Sequence, residues 1–299
     1  MELWIPITIV AAFLQNIRST IQRQLKDRLG AAGATLVRFL YGIPVATAIV
    51  LVLHFGFAQN LPELNAGFAF WVVVGSLAQI AAQVFLILAF GYRNFTVATA
   101  YSRTEPVHAA LIGFMVLGDK PAATDFFAIM LAVAGVALIS IARETMNLAS
   151  LGRAILTRGA LYGLASGAIF GLAAVSYRSA SLAITGPGFL MQASVTLFWA
   201  VLFQSAILLM FMGLKQRGEL KAVFFNWRLG LLVGCVGATA SFLWFAAMTL
   251  QQAAIVKALA QVEMIFTYAA TIFIFRETVN SREIMGCLLI IAGIIALLY

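Results

Sequence analysis

Long apolar runs alternate with short polar breaks along almost the whole chain. Reading the runs between the breaks gives ten segments, at roughly 4–22, 33–53, 68–89, 97–117, 124–141, 160–181, 188–212, 228–249, 252–275 and 281–299. Most approach the ~20 residues that a helix needs to cross the hydrocarbon core of a bilayer. The other spanning solution, a closed barrel, needs polar and apolar positions to alternate, and runs such as Ile284 to Leu298 do not. The pattern predicts an all-α polytopic membrane protein with ten transmembrane helices. The longest breaks, near 142–159 and 213–227, leave no room for a soluble domain.

Composition agrees with this reading. The 299 residues are 63% hydrophobic and 10% charged, with a mean hydropathy of +1.01, outside the range of soluble globular chains. The start, Met1-Glu2-Leu3-Trp4, has neither a basic n-region nor a small-residue cleavage site, so the first apolar segment is expected to be retained. A net charge of +8 could suggest a nucleic-acid partner, but the placement of the charges argues against one. Thirteen of the 19 lysines and arginines fall in the odd-numbered breaks, among them Arg23, Lys26, Arg28, Arg93, Arg143, Arg153, Lys215, Arg217, Arg276 and Arg282. The even-numbered breaks carry Lys120 alone. The positive-inside rule then makes the odd breaks cytoplasmic and puts both termini on the non-cytoplasmic side. The basic excess is a topology signal, and the expected surrounding partner is the lipid bilayer.

Other chemistry is sparse. Cys235 and Cys287 stand isolated in apolar segments and read as small packing residues. His54 and His108 are too few and too far apart to build a metal site, so no metal or cofactor is expected. No ATP-binding motif occurs, which leaves a gradient or exchange as the energy source.

The chain also repeats itself. Glu105, Asp119 and Gly135 recur as Glu263, Glu277 and Gly293, at a constant offset of 158 positions. Ala134-Gly135-Val136 matches Ala292-Gly293-Ile294, and the break at Tyr92-Arg93-Asn94 matches Leu250-Gln251-Gln252. Upstream the register slips by two, where Arg18-Ser19 meets Arg178-Ser179. Two halves, 1–150 and 151–299, each hold five predicted helices. An odd number makes the second half enter the membrane from the opposite side, giving two inverted five-helix repeats. Secondary transporters built this way hold their substrate near the midplane, at the interface between repeats.

These features resemble the EamA family of the drug/metabolite transporter superfamily. The resemblance rests on the two five-helix halves and on the acidic residue that ends the fourth segment of each, in Leu117-Gly118-Asp119 and Phe275-Arg276-Glu277. The Ala-Gly pair in the following segment belongs to it as well. It spans the chain and implies a bacterial-type inner-membrane exporter of amino acids, metabolites or toxic cations. It would also imply cytoplasmic termini; the charge count argues the reverse, and the count is followed here.

Candidate site residues come from the charges inside the apolar segments: Arg18, Arg38, Arg103, Glu105, Arg178, Lys257 and Glu263. At about 2.5–3.5 kcal/mol each, seven unmatched mid-membrane charges would cost roughly 17–25 kcal/mol, more than most proteins have in stability. Most must be shallow, paired or hydrated. Arg18, Arg38, Arg178 and Lys257 lie near segment ends, where long side chains can snorkel to the headgroups. Glu105 and Glu263 lie about 12 and 16 Å in, by the rise of about 1.5 Å per residue, and are too short to escape. They are read as substrate- or proton-binding groups; the alternative is an Arg–Glu pair that locks helices together. Tyr101, Glu105 and His108 share one helical face at i, i+4 and i+7, a candidate proton relay. Ser76, Gln79 and Gln83 form a second polar stripe, and Gln15, Arg18, Ser19 and Gln22 a third; Gln261 completes the candidate lining. Tyr101, Trp199 and Trp244 suit either the cavity or plain packing. Pro106 should bend the fourth segment beside Glu105, whereas the second repeat has Met264 there and should stay straighter, which makes Pro106 a candidate hinge. Asp119 and Glu277 are expected to cap the helices that follow them.

These features point to a secondary active transporter of small polar organic solutes, with amino-acid-like substrates and export favoured, and with protons as the candidate coupling ion. Glu105 and Glu263 would meet an amine, and Arg18 and Arg178 a carboxylate. The alternatives are uptake or exchange of organic anions using Arg18, Arg38, Arg103, Arg178 and Lys257, a lipid flippase, or a channel. An intramembrane enzyme is disfavoured: the chain lacks a His-Glu-x-x-His motif, and Ser166 in Gly163-Leu164-Ala165-Ser166-Gly167 misses the nucleophile elbow by one place, reading instead as small-residue helix packing. A monomer is sufficient for this mechanism.

Overall fold

In a computed structural model, residues 2–90, 101–142, 158–186, 188–266 and 281–298 are described, and they are helical in every regular element. In chain order the helices are α1 (Trp4–Leu40), α2 (Ile43–Leu51, extended by a π turn over Val52–Gly56), α3 (Ala66–Phe90), α4 (Glu105–Leu117), α5 (Ala123–Ala142) and α6 (Arg158–Ala183). They continue as α7 (Phe189–Lys215), α8 (Arg217–Phe225), α9 (Trp227–Leu250), α10 (Ala253–Leu259) and α11 (Ser281–Leu298). Among the described residues, five stretches are long and apolar enough to cross a membrane: Arg28–Gly56, Ala66–Ala89, Arg158–Ala183, Phe189–Lys215 and Trp227–Leu250. Glu105–Leu117 and Ala123–Ile139 are shorter apolar helices. The predicted ends at 97–100 and 267–275, with Arg93, Arg143, Arg153, Arg276 and Glu277, lie outside the described residues.

Helix α1 contains the first predicted polar break, and Gly30 explains how. Its φ of +68° is left-handed, a conformation that glycine adopts without a Cβ clash. The amide of Gln22 donates to Ala34 O at 2.7 Å. Twelve residues of straight helix would span about 18 Å, so the chain doubles back here into two arms. The carboxylate of Glu219 on α8 fills the space where a Gly30 side chain would stand.

The chain forms two compact units. The first comprises Met1–Ser76 and Ser176–Leu250, the second Leu77–Val175 and Gln251–Tyr299. In the first, both arms of α1 pack along α9, and α7 packs against α1, α2 and α9. One core gathers Leu53, Phe68, Val72, Ala180, Ile184, Met191 and Val195. Glycines line the α9 face: a Cβ at Gly230 or Gly234 would run into Tyr41, whose hydroxyl donates to Val223 O at 3.3 Å.

In the second unit α5 and α11 make the closest packing. A Cβ on Gly135 would stand 2.6 Å from Gly286 O, and one on Gly293 would stand 2.8 Å from Ala128 O. The offset of 158 turns Ala128 into Gly286 and Gly135 into Gly293, so each contact is the other with the repeats exchanged. Such reciprocity is what a two-fold relation between repeats would give. Gly135 and Gly293, repeated at the offset of 158, thus serve close helix packing, each against the partner helix. Val136, Ile139 and Ile290 fill in around it. On the opposite side of α11, Ile284, Leu288, Ile291 and Ile295 form an exposed apolar stripe at i, i+4, i+7 and i+11. An apolar outside with small residues inside is the pattern of a helix packed in lipid.

Helix α4 ends at Gly118, left-handed at φ +68°, whose N–H returns to Phe114 O. The helix that follows, α5, is capped by Asp125, whose Oδ2 accepts from Ala122 N–H at 2.9 Å. Asp119, the residue expected to cap it, lies beside Gly113 at the end of α4.

The glycine contacts give a test. Gly286→Val should force α5 and α11 apart and cost about 1–3 kcal/mol or more, as overpacking does, seen as a large fall in melting temperature of the detergent-purified protein. Gly213→Val, where a Cβ meets nothing within 4 Å, should leave it nearly unchanged. Equal melting temperatures would contradict the packing.

Candidate functional site

The site in the second unit begins with two matching breaks in helical structure. In the first repeat the helix tightens at residues 103–104: Thr104 N–H donates to Tyr101 O at 3.2 Å and Val107 N–H to Thr104 O at 3.0 Å. Thr104 Oγ1 also donates to Tyr101 O, at 2.6 Å. In the second repeat α10 stops at Leu259, turns, and resumes over 262–266. There Gln261 N–H donates to Ala258 O at 3.1 Å, Glu263 N–H to Ala260 O at 3.0 Å and Met264 N–H to Gln261 O at 2.9 Å. All but the Thr104 hydroxyl contact are i→i−3 backbone bonds of tightened turns.

This corrects the expectation for Pro106. It sits in the first turn of α4, where its missing N–H costs nothing, and the second repeat breaks at the same place with Met264 instead. Proline is therefore not the cause of the break. The expected stripe of Tyr101, Glu105 and His108 is likewise interrupted, because the turn separates Tyr101 from α4. Helix α6 holds the segment from behind. A Cβ on Gly167 would stand 2.8 Å from Ser102 O, and one on Gly171 2.9 Å from Ala109 N and 3.1 Å from His108 Cβ. Ser166, fully buried, donates to Ala82 O at 3.0 Å, which fits packing and not nucleophilic chemistry.

Each break delivers its glutamate to the other repeat. Lys257 Nζ lies 2.9 Å from Glu105 Oε1, and Arg103 Nη1 lies 3.7 Å from Glu263 Oε2. In both pairs a cation from one repeat meets the carboxylate of the other, so the pairs cross between α4 and the α10 region. Arg103 lies in the tightened turn, and Glu105 opens α4. The four side chains are 11–31% exposed, with Glu263 the most enclosed. Glu105 Oε1 takes the ammonium off the hydrogen-bonding direction and accepts no directional hydrogen bond. Gln261, the counterpart of Arg103 at the offset of 158, is 4% exposed, and its amide donates to Lys257 O at 3.4 Å. Tyr101 is buried, and Gln79 and Gln83 are half-buried on the α3 stretch of this unit.

Arg18 and Arg178 stand in the first unit, on α1 and α6. Arg18 is 8% exposed, so it does not snorkel outward as its place near a segment end would allow. Arg178 Nη1 donates to Met248 O, tying α6 to α9. Around them Trp244 Nε1 donates to Gln15 Oε1 at 3.1 Å and Gln204 Nε2 donates to Tyr177 Oη at 3.0 Å. Trp199 is 40% exposed on α7 and reads as an outward-facing residue. Two features escaped sequence reasoning: the crossing of the ion pairs, and the closeness of Arg38 to Arg18. For the second, the glycine at 237 was the available signal.

The crossed pairs can be checked by a double-mutant cycle. Lys257→Gln and Glu105→Gln alone should each destabilise the protein by about 1–3 kcal/mol, because each strands a charge in apolar surroundings. The double variant should lose less than the sum, measured as thermal unfolding in detergent. Strict additivity would contradict the pairing.

Comparison with known proteins completes the description. The model of the EamA-like transporter family matches residues 2–141 and again 157–299. No curated protein matches the chain. A solved crystal structure, described only as that of a protein, is similar over 99% of this chain and 95% of its own, with a TM-score of 0.72 and 15% identity, a likeness of fold alone. With both halves matched, the chain belongs to the EamA-like transporter family and is a multi-pass membrane protein of that transport class.

Proposed function

We propose that this protein is a secondary active transporter that exports small amino-acid-like metabolites by alternating access between two inverted five-helix repeats. The observation that carries this reading is the crossed pair of ion pairs at the junction of the repeats. Within one unit the junction holds two carboxylates and two cations, the two signs that a zwitterion needs. The ammonium of a substrate would compete with Lys257 for Glu105, whose Oε1 lacks a directional hydrogen bond, or with Arg103 for Glu263. Its carboxylate would then meet the released cation, so binding exchanges one ion pair for two and leaves no charge stranded. An amine is thus recognised by displacement, which also gives the carboxylates a way to take up a proton when the substrate leaves. The duplicated family match and the reciprocal α5–α11 contact support the inverted repeat. The tightened turn at residues 103–104, which Pro106 follows in the first turn of α4, is the proposed hinge.

A ligand screen by thermal shift, using amino acids, polyamines and organic anions, should identify the solute through its stabilisation of the purified protein. In proteoliposomes with that solute, Glu105→Gln and Glu263→Gln should each abolish transport or uncouple it from a proton gradient. Pro106→Ala should slow it while leaving binding intact. Full proton-linked transport by both glutamine variants would overturn the assignment of the carboxylates, and a wild-type rate for Pro106→Ala would overturn the role of Pro106 at the hinge.

A further inference from the structure

Helix α8 joins two helices that are each long enough to cross a membrane, α7 ending at Lys215 and α9 beginning at Trp227. Its nine residues span about 13 Å by the usual helical rise, against a hydrocarbon core of about 30 Å. It therefore stays at one membrane face, where the spanning helices end and the headgroups begin. Its inner side is held to α1. Val223 is fully buried, a Cβ on Gly33 would stand 3.3 Å from its Cγ2, and its carbonyl accepts from Tyr41 Oη at 3.3 Å. One turn earlier, the carboxylate of Glu219 lies against Gly30.

The outer side is basic and aromatic. Between 213 and 230 the chain carries four cations, Lys215, Arg217, Lys221 and Arg228, and a single acid, Glu219. That acid is the one turned onto α1, while all four cations are exposed. Arg217, Lys221 and Phe224 follow i, i+4 and i+7 on the outer face, opposite Glu219 and Val223. Phe224, Phe225 and Trp227 are 54%, 88% and 49% exposed. The bend at Asn226 opens a hollow of about 400 Å³ lined by Phe225, Asn226, Trp227, Arg228 and Leu229. Arg228 is the cation of this hollow, its guanidinium 5.5 Å from the centroid of the Trp227 ring. The Asn226 side-chain amide donates to Ala222 O at 2.9 Å, which holds the bend.

Rings this exposed are poorly matched to water, and cations beside them attract negative charge. A soluble anion would meet the cations and leave the rings in water. A zwitterionic lipid would cover the rings and bring no net charge. Anionic phospholipid supplies both, with acyl chains at the depth of the rings and phosphate at the depth of the cations. We propose that the α8–α9 corner is a binding site for anionic phospholipid. Phe224, Phe225 and Trp227 enter the boundary between headgroups and acyl chains. Arg228 in the hollow, with Arg217 and Lys221 on the outer face of α8, meets the phosphate. The site stands apart from the amine reading of Glu105 and Glu263, and its test reads lipid binding, not transport.

The full-length protein is held in a neutral detergent with equal amounts of phosphatidylglycerol and phosphatidylcholine, and the retained lipids are counted by native mass spectrometry. The wild-type protein should retain phosphatidylglycerol in preference, and added salt should reduce that preference. A cation near an anionic surface contributes roughly fivefold in affinity, so replacing Arg217, Lys221 and Arg228 together by Gln should reduce the preference at least tenfold. Lys120→Gln, outside α8, should leave it unchanged. Phe225→Ser, which keeps every charge, should lower the retention of both lipids and keep the preference. The proposal is overturned if the wild-type protein retains the two lipids equally, or if the triple variant keeps the preference. Binding of soluble polyglutamate in place of phosphatidylglycerol would overturn it too, and would make the partner of this face an acidic protein.

Discussion

Apolar surroundings tolerate a charge only when something meets it, and this constraint organises the interior of the protein. Glu105 and Glu263 cannot reach the headgroups, and each is met by a cation from the opposite repeat. The crossing matters more than either pair alone. A pair within one repeat would stiffen one helix, whereas crossed pairs tie the start of α4 to the α10 region. All four side chains stay partly exposed.

Backbone proximity sets the geometry in which those charges meet. Gly167 and Gly171 of α6 let the 101–109 segment lie directly on the helix, and Gly135, Gly286 and Gly293 bring α5 and α11 into backbone contact. Without a hydrophobic drive between helices in lipid, such close approach supplies the van der Waals and carbonyl contacts that hold helices together. The first unit uses the same device for another end. Gly230 and Gly234 receive Tyr41, and Gly237 receives two arginine stems.

Much of this was legible in the residues. Apolar run lengths give the helical class, and the offset of 158 gives the duplication and the pairing of Glu105 with Glu263. Depth singles out those two carboxylates, because side-chain length and rise per residue are local quantities. Partner choice was not legible, because it depends on which helices touch. The same limit explains Pro106: the chemistry of proline predicts a break, but the second repeat breaks with Met264, where i→i−3 bonds tighten the turn without one. Arg38 read as a snorkelling residue for a related reason, since only the fold brings it to Arg18 over Gly237.

The central claim is that solute crosses by alternating exposure of a binding site, and counterflow in proteoliposomes tests it most directly. Purified wild-type protein is reconstituted with unlabelled solute inside, and labelled solute is added outside at low concentration. The account predicts saturable entry of label, accelerated by the internal solute and showing a transient overshoot. Linear, unsaturable entry that ignores the internal solute would contradict it.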